Sequence, residues 1–222
     1  MQQDPEHRSR DEQAGGRVMG LGRTWAVALV GMRGVLVEVQ SDDAGSGIPE
    51  ATIVGSVSTA MKEAKHRVKV ALKHSGMRWP DKKVVVNLSP ADVPKRGSVF
   101  DLALATSILC ADRQIEAPLA ERTVHLGELG LDGRVQPARG VLPAVHAAVR
   151  AGYPHVVVPQ ANAAEAALVH GAQVTGVGHL IDVVRHYGVP IDPDLEEQIR
   201  SSAPAQPLKR PCGPLGPRRR SG

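Results

Sequence analysis

The feature that most constrains this chain is the alternation of short β-branched runs with segments of helical period. TWAVALV, VLVEVQ, ATIV, VVVNL, HVVVP and VTGV are too short for ordinary helices. The chain has 29 Val, whose stiff χ1 suits a pleated sheet, and these runs are rich in them. Between them, Met61, Ala64, Val68 and Ala71/Leu72 recur at helical spacing over Ser58–Lys73, with Ser58 or Thr59 as cap. DLALATSILCA is a mostly apolar helix, VLPAVHAAVRA a third ending at Gly152, AAEAALV a short one capped by Asn162, and His179–Tyr187 the last. Gly31-Met32-Arg33-Gly34 predicts a hairpin turn, and TVHLGEL and RVQPA are expected to pair across Gly130–Gly133. HVVVP has no polar alternation and reads as buried on both faces. Such alternation predicts an α/β fold with a mixed sheet packed by helices. No apolar run approaches the roughly 18–20 residues that cross a bilayer, and no membrane partner is expected.

Charge divides the chain further. The net charge is +4, yet residues 201–222 carry Lys209, Arg210, Arg218, Arg219 and Arg220 and no acid. The first 200 residues therefore hold 22 basic and 23 acidic side chains, so the basicity belongs to the tail. Residues 1–20 have seven charged side chains and no apolar core segment, reading as a disordered leader rather than a signal peptide. The expected organisation is a leader (1–20), one domain (21–190) and a disordered Pro/Arg-rich tail (191–222). Two Trp, two Tyr and one Phe are too few for a surface that reads single strands by stacking. Cys110 and Cys212 make no disulfide framework, and the chain reads as cytoplasmic.

The chemistry-bearing patterns are few. No Gly-Lys dipeptide occurs in the 222 residues, so they contain no Walker A loop. The Gly-rich stretch Gly127–Gly140 lies between hairpin strands, which makes Gly130 and Gly133 turn residues rather than phosphate ligands. His66/His74 and His179/His186 are eight and seven residues apart, not the close helical pair of a zinc site, and no metal or cofactor is expected. Ser98, ahead of DLALATSILCA, is either an activated nucleophile or a cap, and Asp101 suits the helix dipole in both cases. The helix Ser58–Lys73 sets Lys62, Lys65, Arg67, Lys69 and Lys73 against one Glu, a face that could neutralise DNA phosphates.

TWAVALVGMRGVLVEVQ, GIPEATIVG, the helix with Glu63-Ala64 and Arg67-Val68, SGMRWPDKKVVVNLSPADVPKRGSVFDLALA, GELGLDGRVQPARGVLPAV and VVVPQANAAEAALV follow one another over residues 19–187. In that order they resemble the N-terminal domain of the magnesium chelatase-like (YifB/ComM) family. A departure falls at Ser56–Ser58, where the family shows a Leu-Pro-Asp-like turn. The resemblance implies a fold similar to the proteolytic domain of Lon and the second domain of small-subunit ribosomal protein five. Lon proteases carry Pro-Lys-x-Gly-Pro-Ser-Ala-Gly with the Ser as nucleophile, and a helical Lys as base. Laid without gaps on PKRGSVFD and GVLPAVHAA, those positions are Val99 and Ala144, which implies a non-proteolytic relative. A one-residue slip instead gives a Lon-like serine hydrolase using Ser98. In the family this domain precedes an AAA+ ATPase module, and the ComM branch is a hexameric helicase promoting DNA branch migration during transformation. The implied partners are a separate AAA+ ATPase subunit or further copies, with DNA on the basic helix. Met19 resembles the family's usual start, and the tail reads as a truncated or shifted-frame end, so a folded but functionless fragment is the third expectation.

Overall fold

The computed structural model describes residues 20–43, 48–54, 59–95 and 97–202. Strands β1 (Gly22–Val30) and β2 (Arg33–Asp43) form an antiparallel hairpin in which Val30 faces Arg33. The turn is therefore Gly31-Met32 alone, two residues shorter than expected. Gly34 belongs to the strand for a packing reason: a Cβ there would lie 2.5 Å from the Ala147 side chain. The chain continues through β3 (Ala51–Val54), α1 (Thr59–His74), β4 (Val84–Ser89), α2 (Asp101–Ala111), α3 (Ala117–Ala120), β5 (Thr123–His125), β6 (Glu128–Leu129) and β7 (Val135–Gln136). Then come α4 (Val141–Arg150), β8 (His155–Pro159), α5 (Ala163–Ala166), β9 (Gln173–Val177), α6 (Leu180–His186) and α7 (Pro193–Ser201).

Seven strands make one mixed sheet in the order β3-β4-β2-β1-β5-β8-β9. The β1–β2 and β2–β4 pairs are antiparallel and the other pairs parallel. Strand periodicity assigns the two faces. Ala26 and Ala28 of β1, with Val157 of β8, meet the core built with α1, α2 and α6. Val27, Val156 and Val158 point the other way, onto α4 and α5. Burial on both sides is why HVVVP shows no alternation. All eleven residues of α2 are buried, which accounts for its lack of an amphipathic stripe. Among the described residues, no helix is long and apolar enough to cross a membrane.

Three expectations change. TVHLGEL is not one strand: Thr123–His125 joins the main sheet between β1 and β8, and just Glu128–Leu129 pairs with Val135–Gln136 in a separate ribbon. The break falls where Leu126 N–H turns to the Val157 carbonyl and Gly127 N–H to that of Val99. Asn162 does not cap α5; its amide accepts from Ala138 N–H (2.9 Å) and donates to Ala138 C=O (3.0 Å) and Glu165 (3.0 Å), clamping two loops. His179–Tyr187 is not the last helix either. α7 begins at the Asp192 cap with Pro193 in its first turn and buries Ile199, so the folded body continues past residue 190 to Ser202. The leader through residue 19, Ser56–Ser58 and the tail from 203 lie outside the described residues.

Candidate functional site: a cleft at the head of α2 and a basic face on α1

The loop from β4 to α2 carries the sequence's candidate nucleophile. Lys95 is buried there, donating from Nζ to the Pro90 carbonyl; burial lowers its pKa, and Asp92 opposes the shift. Ser98 does not cap α2. Its Oγ donates to the Glu128 carboxylate on β6, and no side chain caps α2; the Ser98 carbonyl accepts from Asp101 N–H at 3.1 Å. Ser98 and Glu128 border a cleft of about 410 Å³ between this loop, the end of β1 and the start of α4. Val99 and Ala144 line the same cleft, so the two positions on which the Lon-like resemblance lays its dyad do meet in space. What they bring there is an isopropyl group and a methyl. Among the described residues, Glu128 and Arg139 are the charged groups of the lining, and no Lys is among them.

Asp101, at the first turn of α2, is fully buried and takes a bidentate ion pair from Arg67 of α1, Nε to Oδ2 at 2.9 Å and Nη2 to Oδ1 at 3.0 Å. Leu129 N–H donates a third bond at 3.2 Å. Burial nonetheless pushes the carboxyl above its ordinary value, with Arg67 and the amide pulling against it. The hydrogen bond to Asp101 raises the Arg67 guanidinium in turn. Arg67 is thus no member of a free phosphate-binding face: its side chain is 21% exposed and committed to the interior. The reason is helical geometry, since position 67 borders the Ala64/Val68/Ala71 stripe.

The remaining basic residues of α1 do share its outer side. Lys62, Lys69 and Lys73 are exposed; Lys65 is half-buried and donates to Glu50 at 2.7 Å. Lys69 Nζ stands 5.4 Å over the Trp79 ring. Glu50 is held below its ordinary value by its bond to Lys65 and that lysine's charge, then by the charges of Lys83 and Lys69. Lys83, in the lead-in to β4, therefore extends the patch. No sequence signal singled it out, because β3–β4 pairing is what brings it beside α1.

Elsewhere the polar groups are structural. Gly130 N–H donates to Arg134 C=O and Gly133 N–H to Gly130 C=O, closing the ribbon turn. Gly133 has φ +84°, and a Cβ there would lie 2.5 Å from Ser75 Oγ and 2.6 Å from the His179 ring. That glycine makes room for neighbouring side chains. His74 Nδ1 bonds the Leu131 carbonyl at 2.7 Å. His179 accepts from Ile181 N–H and donates to Asp132 C=O at 2.8 Å, capping α6, and burial lowers its pKa. Sequence reasoning missed His125 altogether. It is fully buried between Thr24 Oγ1 and Tyr187 Oη, each 2.6 Å away, and burial drives its pKa down to about 3. Among the described residues no group of three or more His, Cys, Asp or Glu stands together as a metal site.

Similarity to known proteins bears on both regions. A family model described as subunit ChlI of Mg-chelatase matches residues 37–162. An uncharacterized protein of Mycobacterium tuberculosis (strain H37Rv) is 48% identical over 159 residues, 72% of this chain and 31% of its own length. Competence protein ComM of Haemophilus influenzae is 35% identical over 167 residues, 75% of this chain and 32% of its own. Lon protease 2 of Bacillus subtilis is 30% identical over 144 residues, 58% and 26% of the two chains, in keeping with a Lon-like α/β fold. The chain spans about a third of the length of the first two relatives. With more than half its residues under the family model, this chain belongs to the magnesium chelatase-like family of subunit ChlI and the ComM proteins.

Proposed function

We propose that this domain is a non-catalytic, DNA-facing unit of a ComM-type machine, one that works on branched DNA with energy drawn from an AAA+ ATPase. The observation that carries the reading is the row Lys62, Lys65, Lys69 and Lys73 along α1, continued by Lys83. A row of ammonium groups on one rigid helix neutralises successive phosphates, releases counterions and reads no bases. The non-catalytic half of the proposal rests on Val99 and Ala144, which stand where the resemblance lays the Ser–Lys pair, and on the missing Gly-Lys dipeptide of a Walker A loop. Its part is then to hold DNA or to assemble with the ATPase, as separate subunit or as further copies.

The test is fluorescence anisotropy of a labelled four-way junction titrated with the full chain over a salt series. If Lys62, Lys69 and Lys73 each neutralise one phosphate, changing all three to Gln makes the log–log salt slope shallower by about 2.7. A junction that fails to bind even at low salt, or a slope the triple variant leaves intact, rejects the proposal.

A further inference from the structure

On the sheet face opposite α1, a groove of about 910 Å³ runs along α4. Leu142, His146 and Arg150 form its floor, four residues apart and so in line on the outer side of the helix. One wall is the tip of the β1–β2 hairpin, where Met32 is 86% exposed; the other follows α5, where Leu168 is 76% exposed. Large apolar side chains this exposed, gathered along a single concavity, mark a surface for a partner. Its charge is one-sided: Arg33 and Arg150 border the groove, no carboxylate lines it, and neither arginine has an ion-pair partner among the described residues.

We propose that this groove binds an amphipathic helix of a partner protein, its apolar stripe flanked by carboxylates. A helix fits better than a strand. The β1 and β2 edges nearby already pair with each other, and α4 spends its amides internally, leaving no free ladder for an added strand. The floor from Leu142 to Arg150 is about 12 Å long, two turns of a helix lying along it. A second copy fits poorly, because a two-fold contact would set this basic groove against itself. The chain's own acidic helix, α7, is already docked elsewhere through Ile199.

The probe is a fluorescein-labelled helical peptide of about 14 residues, Leu in its stripe and Glu on both flanks, with a twin carrying Lys in place of Glu. Anisotropy against the full chain should show the Glu peptide binding about tenfold or more tighter than its twin, with the gap closing as salt rises. Met32→Ser with Leu168→Ser should weaken it about tenfold while leaving the thermal melt unchanged, both residues being exposed. Arg33→Glu with Arg150→Glu should transfer the preference to the Lys twin. Equal binding of the two peptides, binding of neither, or a dimer in sedimentation that Leu168→Ser dissolves would overturn the proposal; so would groove variants that lose the DNA junction. Groove variants that keep the junction, beside α1 variants that do not bear on it, would sink the DNA reading and leave this one standing.

Discussion

Replacing Arg67 with Met strips the buried Asp101 carboxylate of its bidentate partner and leaves it the Leu129 amide at 3.2 Å. Breaking a buried pair from one side costs about 3–5 kcal/mol, because the remaining charge has no water to replace its partner. Protonation sets a ceiling. A carboxylic acid with an unfolded pKa near 3.9 can be neutralised for about 4 kcal/mol at pH 7 and about 1.5 kcal/mol at pH 5. The expected loss is therefore about 3–4 kcal/mol at pH 7, near 10 °C in Tm for a body of this size. The sign with pH follows from the same argument. In the variant the folded Asp101 pKa lies further above its unfolded value, so the folded state binds more protons in between. The penalty grows as pH rises above about 4 and shrinks on acidification. Urea denaturation of wild type and variant at pH 7 and pH 5 measures it. Arg67→Met with Asp101→Leu should recover most of the loss, since an apolar pair of similar volume needs no desolvation. A penalty below about 1 kcal/mol at pH 7, or an equal one at both pH values, would refute the reasoning. The folded variant should also keep the wild-type salt slope on junction DNA, separating Arg67 from the outer lysines.

Two further outcomes follow from the interior and the cleft. His125 has a folded pKa of about 3 against 6.5 for the free side chain, so the unfolded state takes up its proton first; stability should fall by about 1.4 kcal/mol per pH unit below 6.5, and His125→Gln should remove that component from the pH dependence of the urea midpoint. A variant with an undiminished slope would mean that His125 does not carry the effect. Incubation with unfolded casein and a fluorophosphonate probe should give neither cleavage nor labelling, because Ser98 Oγ is bonded to the Glu128 carboxylate and the position where the resemblance lays the lysine base is Ala144; labelling lost in Ser98→Ala would favour the hydrolase reading.

The local periods of this chain were enough to determine its class. β-branched runs and helical repeats are properties of neighbours along the chain, and the expected strands and helices recur at β1, β2, β3, β4, β8, β9, α1, α2, α4 and α6. The absence of a Gly-Lys dipeptide is likewise complete in one dimension, as are the identities of positions 99 and 144. Tertiary structure decided the rest. It split TVHLGEL between the sheet and a ribbon, since strand partners depend on which edge is free and not on the run itself. It extended the body through α7, which the sequence assigns to a disordered tail and which buries Ile199. It turned Arg67 inward while its neighbours stayed in water, a matter of 100° per residue about the helix axis and of Asp101 waiting 34 positions away. Periodicity is written between residues a few places apart, whereas ion pairs, clefts and grooves join residues that meet when the sheet has closed.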